Sequence, residues 1–219
     1  MQQVQGGCGG SKMASGVVPS VKGSVFVTTI EDVGKLISSG ELSRAEAERW
    51  LAPEDLRLLD EQIFMSHWYD VRSYVRLNQL LRDVVGNGSN EFLRERGRET
   101  ARRLLEAGLY AQLQYLNRAA VAQQTNAAAR YEAFGRDLRL LSTLSGSIFN
   151  FTRWTPMPDP DREGRYRIEV SEARDFPDVV CWRSDGFVNE MASQHGDFDL
   201  WSWERPTPDL VLFRMTRAL

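Results

Sequence analysis

A catalytic site in this chain would have to be built from few parts. The histidines are His67 and His195, and the cysteines are Cys8 and Cys181. A zinc site needs three or four such ligands at short spacings. No His-x-x-x-His or Cys-x-x-Cys run occurs. A Gly-x-x-x-x-Gly-Lys-Ser/Thr loop would cradle phosphates, and a Gly-x-Ser-x-Gly elbow would present a nucleophile. Neither is present. The expectation is therefore no catalytic residue, no metal and no cofactor: a protein that binds rather than an enzyme.

Smaller clusters each admit two readings. Ser66-His67-Trp68-Tyr69 is the densest. It reads either as an aromatic ligand wall anchored by His67, or as a helix entry packed into the core with His67 at an exposed turn. His195 closes an expected helix, where a cation meets the negative end of the dipole. This places it at a surface terminus. Cys181 beside Trp182 has only Arg183 nearby to lower its pKa, so it reads as a buried, unreactive thiol. Asp159-Pro160-Asp161-Arg162-Glu163-Gly164 echoes a calcium loop but lacks the alternating oxygen ligands and the closing Glu, and reads as a solvated loop. Arg94, Arg96, Arg98, Arg102 and Arg103 form a basic run. Interleaved Glu91, Glu95 and Glu99 neutralise it, and no aromatic residues stack beside it, which argues against nucleic acid.

The bulk figures agree. The chain has 219 residues, 42% apolar and 26% charged, with a formal charge of -3. Such a length can bury a core without disulfide or metal staples. The charge gives no reason to expect nucleic acid or an anionic membrane. Two cysteines suit a reducing cytosol, so a cytoplasmic location is expected. Residues 1–16, rich in Gly, Gln and Ser, read as a disordered tail without the apolar core of a signal peptide. No run approaches the ~18 apolar residues of a membrane span. Residues 17–219 read as one α+β domain.

The elements that must position these residues follow from periodicity. Val21 to Thr29, with Val25, Phe26 and Val27, reads as a short strand or extended lead-in, followed by a short helix to Ser38 that Gly40 ends. Ser43 and Glu46 form a capping box, and Pro53 opens another helix. Asp70 caps the next, with Tyr69 and Tyr74 spaced for a hydrophobic staple. Val71, Tyr74, Leu77, Leu80 and Leu81 give that helix a wide apolar face, as befits a central position. Gly86-Asn87-Gly88 stops it, and Ser89 caps a helix over residues 90–107. Gly97 within that helix costs about 1 kcal/mol relative to Ala, which a close backbone approach would justify. Residues 109–125 and 126–144 read as two further helices.

After Gly146 the period changes. Residues 148–155 and 165–170 read as strands around a long polar loop, residues 156–164. Residues 179–182 read as another extended piece, and residues 185–195 as an amphipathic helix. Residues 197–203 and 210–216 read as two final strands. Trp201 and Trp203 share one strand face and Phe198 and Leu200 the other, which implies a sheet covered on both sides or a partner surface. Helices followed by strands argue an N-terminal helical bundle, then a four-stranded antiparallel sheet with a helix inserted between its two hairpins.

That order resembles the fold shared by the haem-nitric-oxide-binding domains, the vinyl-reductase-like ligand domains and the Bet3-type subunits of the TRAPP tethering complex. More closely, the chain resembles an uncharacterised bacterial paralogous family of that shape. Trp68-Tyr69, Gly97-Arg98 with Ala101, Gly108-Leu109-Tyr110, and Cys181 with Gly186-Phe187 carry the resemblance, which covers residues 21–219. It implies a small-molecule sensor or a protein-interaction module, commonly dimeric. It does not imply haem, because the Tyr-x-Ser-x-Arg motif and proximal His of the haem-binding relatives are absent. Nor does it imply the Cys/His metal cluster of the vinyl-reductase-like domains. Neither Cys181 nor Cys8 aligns with the acylated Cys of the Bet3-type channel. The leading expectation is a non-enzymatic binding domain with an apolar pocket between helices and sheet, near Trp68, Tyr69 and Tyr110. The rival is an interaction module, homodimeric or holding a partner such as a small GTPase.

Overall fold

A computed structural model describes residues 18–106 and 127–219. Tyr110, Cys8 and the helix expected over residues 109–125 lie outside the described residues. The chain folds as α+β. Strands β1 (Ser20–Lys22) and β2 (Trp68–Asp70) pair antiparallel, with Val21 opposite Tyr69. They lead directly into helices α1 (Gly23–Ser39) and α4 (Val71–Val84), so the ribbon joins the starts of both. The short helices α2 (Arg44–Ala47) and α3 (Pro53–Asp60) lie between. Helices α5 (Asn90–Glu106) and α6 (Ala127–Ile148) follow.

The four-stranded antiparallel sheet has the order β3-β4-β6-β5, with β3 (Arg153–Pro158), β4 (Tyr166–Ser171), β5 (Trp201–Thr207) and β6 (Leu210–Met215). Helix α7 (Asp178–Ser193) is inserted between β4 and β5. Tyr166, Ile168 and Val170 on β4 are buried and join Val211 and Phe213 of β6 in the main core. The other face of the sheet carries charged residues beside the buried Leu212. Arg167 stands opposite Arg214 across the strands, a pairing that would repel if left alone. Glu169 neutralises Arg167 at 2.5 Å, and Asp159, Asp161 and Glu204 surround Arg214 at 2.9–3.0 Å.

The caps sit where the sequence places them. Ser43 Oγ accepts from the Glu46 N–H, and the Ser43 N–H donates to Glu46 Oε2 at 2.9 Å. Asp70 Oδ1 accepts from the Arg72 N–H at 2.8 Å, and Ser89 Oγ accepts from the Glu91 N–H. Tyr69 and Tyr74 both pack on Phe26, with ring centroids 4.8 and 6.1 Å away. Gly40 ends α1 in the left-handed region at φ 81°.

Four boundaries differ from expectation. Of the extended piece expected over Val21 to Thr29, only Val21 and Lys22 lie in a strand (Ser20–Lys22), and Val25-Phe26-Val27 is helical. These β-branched and aromatic residues favour strand locally, but Val25, Phe26, Thr29, Ile30 and Val33 fall on one helical stripe and are all buried. Residues 179–182 are not an extended piece, because α7 runs unbroken from Asp178. It is buried on most of its circumference, so no polar stripe betrays its period. Strand β3 begins only at Arg153 and carries Pro156 and Pro158, which its place at the sheet edge allows. Strand β5 begins at Trp201 and continues past Pro206 by a register shift between Glu204 and Thr207. Phe198 therefore precedes the strand and is 69% exposed, and the two-sided apolar strand expected there does not form.

Candidate ligand-binding cavity

The site begins with the crossing of α5 and α7. A Cβ on Gly97 would overlap the Arg183 carbonyl oxygen, and one on Gly186 would overlap that of Arg94. Each glycine thus admits the backbone of the other helix. The sequence flags Gly97 for such an approach, and Gly186 supplies the reciprocal half. Polar side chains lock the crossing. Arg94 Nε donates to Asp185 Oδ1 at 2.9 Å. Asn189 bridges Asp185 and the backbone of Trp201, which ties the crossing to the sheet. Burial pushes the Asp185 carboxyl up despite the opposing pull of Arg94.

Between this crossing, α1, α4, α6 and the sheet lies a cavity of about 70 Å³. At ~10–15 Å³ per water-sized site it admits about five waters, or a small organic molecule. Its walls are mainly apolar. Val25 comes from α1, Leu138 and Ile148 from α6, and Val180, Phe187 and Val188 from α7. Trp154 and Ile168 close it on the sheet side. The hydroxyls of Ser142 and Ser145 also line it, but each donates to its own helix backbone at 2.7 Å.

One wall is polar and centred on Arg183, which is 5% exposed. Its Nη1 donates to Thr29 Oγ1 at 3.0 Å and to Asn78 Oδ1 at 2.6 Å. Its Nη2 donates to Thr100 Oγ1 at 3.1 Å. The guanidinium carbon lies 5.4 Å from the Tyr74 ring centroid, a cation–π placement. Tyr74 is itself buried in the wall, and burial pushes its phenol up, so the ring stays neutral. Arg96 stands close by. Its own burial first, and then the Arg183 charge, push it down, and its partners are Asp32 and Glu99. All three acceptors of Arg183 are neutral, and among the described residues it has no carboxylate partner. A buried cation without a counter-ion carries a desolvation cost that neutral acceptors offset only in part.

The residues expected at the site lie elsewhere or outside the description. Trp68 and Tyr69 belong to the β1–β2 ribbon and are not among the cavity's lining residues. Trp68 is 41% exposed, with the Lys22 ammonium 4.4 Å from its ring centroid. The Tyr69 hydroxyl accepts from the Phe64 N–H at 2.8 Å. Tyr110 lies outside the described residues. His67 is exposed at its turn, against the Phe64 ring. His195 is not at the surface. Its side chain is 6% exposed, Nε2 is 3.1 Å from Asp137 Oδ2, and its ring meets Phe134 edge-on.

Cys181 is fully buried, and burial pushes its thiol up to about 12 even though Arg205 lies 3.4 Å from Sγ. The loop after β3 is tied to the sheet rather than merely solvated, because Arg214 donates to both oxygens of the buried Asp159. Among the described residues, no group of three or more His, Cys, Asp or Glu could hold a metal ion. None of the described helices is long and apolar enough to cross a membrane.

Sequence reasoning missed Arg183, Thr100, Asn78 and Thr29. The one local signal was Arg183 within a stretch, Val179 to Val188, that is otherwise apolar apart from Ser184 and Asp185. Compared with protein-family models, with curated proteins and with solved structures, the chain matches none.

Proposed function

We propose that this protein is a non-enzymatic binding domain that takes a small, largely apolar molecule between its helices and its sheet, as sensor-like domains do. The cavity carries this reading. It is mainly apolar on the sides formed by α1, α6 and β3–β4, where the α6 hydroxyls are tied to their own backbone, with the polar group of Arg183, Thr100 and Tyr74 on one wall. An apolar pocket with a few convergent polar groups is the usual form of a small-molecule site. The resemblance to the vinyl-reductase-like and Bet3-type proteins points to the same class. Native mass spectrometry of protein purified without refolding is the test. A reproducible extra mass, lost on denaturation and lost in Val180→Phe, which puts a ring into the wall, is the expected result. A clean mass for the unaltered protein, together with no uptake of added small apolar compounds, would contradict it.

A second reading, a protein-interaction module, rests on a different observation. Phe64, Met65 and Trp68 are 48%, 62% and 41% exposed and lie within five residues of one another. Apolar side chains gathered in this way suit a homodimer contact or a partner such as a small GTPase. The homodimer version predicts a dimer whose population rises with concentration in light scattering and falls in Trp68→Glu. A monomer at all concentrations would contradict it.

A further inference from the structure

We propose that the molecule held in the cavity carries a carboxylate, and that Arg183 is the residue that binds it. This rests on the cavity reading above and names the ligand's chemical class. Arg183 is buried in the cavity wall, and its three hydrogen bonds go to the neutral oxygens of Thr29, Asn78 and Thr100. Residues 1–17 and 107–126 contain neither Asp nor Glu, so their side chains add no carboxylate.

The neighbouring acids make no ion pair with Arg183 among the described residues. Asp32 and Glu99 pair with Arg96, whose own charge adds to the positive field. Among the described residues, the three bonds use neither Nε nor the second hydrogen of Nη2. A guanidinium with donors to spare matches the planar fork of a carboxylate better than a rounder anion. The Thr29, Asn78 and Thr100 oxygens hold the group in place beforehand, so little side-chain freedom is lost on binding. The rest of the cavity is mainly apolar and small, which calls for a short hydrocarbon or single-ring body. The ligand class is therefore a small amphiphilic carboxylic acid, bound tail among Val25, Ile168, Val180 and Val188 and head at Arg183.

The test uses two probes of matched size, hexanoate and hexan-1-ol, titrated calorimetrically into the full chain at neutral pH. Hexanoate is expected to bind at least tenfold more tightly than the alcohol, and Arg183→Gln should abolish that preference while the alcohol still binds. Equal affinity, or tighter binding of the alcohol, would overturn the carboxylate proposal and leave the cavity reading standing. Binding of neither probe would overturn both. The comparison of probes on the unaltered protein decides the matter even if Arg183→Gln does not fold.

Discussion

At the scale of single residues, the chain concentrates its buried charge at a few well-defined points. Asp55 is one. It has no exposed side-chain surface, accepts from Arg76 Nε at 2.5 Å and Nη2 at 2.8 Å, and caps α3 through the Ala52 N–H at 2.9 Å. Burial pushes its carboxyl up, but the bonds from Arg76, Ser73 and Ala52 outweigh that and hold it below its usual range. Asp55→Asn should cost about 3 kcal/mol in urea unfolding, because it leaves Arg76 half-buried with only Glu54. A depressed carboxyl stabilises the fold above the unfolded value of ~3.9 and loses that contribution as pH falls through the folded value. The unaltered protein should therefore lose stability below about pH 4 more steeply than Asp55→Asn. Parallel acid profiles would contradict this. Caps such as Ser43 and Asp70 were legible in the sequence because a cap is a contact between near neighbours. Arg183 was not, because Thr29, Asn78 and Thr100 come from three other helices.

At the scale of elements, the crossing of α5 and α7 sets the shape of the site. Gly97→Ala should destabilise the protein by about 1–3 kcal/mol, since the methyl group meets backbone that cannot easily move. Gly34 and Gly146 also lie within helices, but a Cβ there meets nothing within 4 Å. Gly34→Ala should instead stabilise by up to about 1 kcal/mol. Thermal melts of the two variants check the contrast, and shifts of the same sign would contradict it. Helix ends were readable where Gly40 and Gly86-Asn87-Gly88 stop the chain. The course of α7 was not, because burial on nearly all sides removes the alternation that periodicity reads. The strands β3 and β5 were misplaced by a few residues for a related reason. Both lie at sheet edges, where Pro156 and Pro206 are tolerated although prolines usually mark loops.

At the scale of the whole molecule, the class of fold follows from the order of helix and strand patterns, and the described structure has it. The cavity does not follow from that order. It exists because residues as far apart as Val25, Gly97, Ile168 and Val188 converge around the α5–α7 crossing. The aromatic cluster that stands out in the sequence, Trp68-Tyr69, stabilises the ribbon and the α1 entry, with Tyr69 stacked on Phe26. On the proposed reading the cavity takes a small amphiphilic molecule. Methyl-resolved NMR of the full chain, titrated with hexanoate and with hexan-1-ol, tests it most directly. The prediction is saturable shifts of the Val25, Ile168, Val180 and Val188 methyls, while the methyls of Val33 and Leu51, buried but not lining the cavity, stay in place. Cavity methyls that do not respond to either probe, or shifts spread evenly over the core, would contradict it.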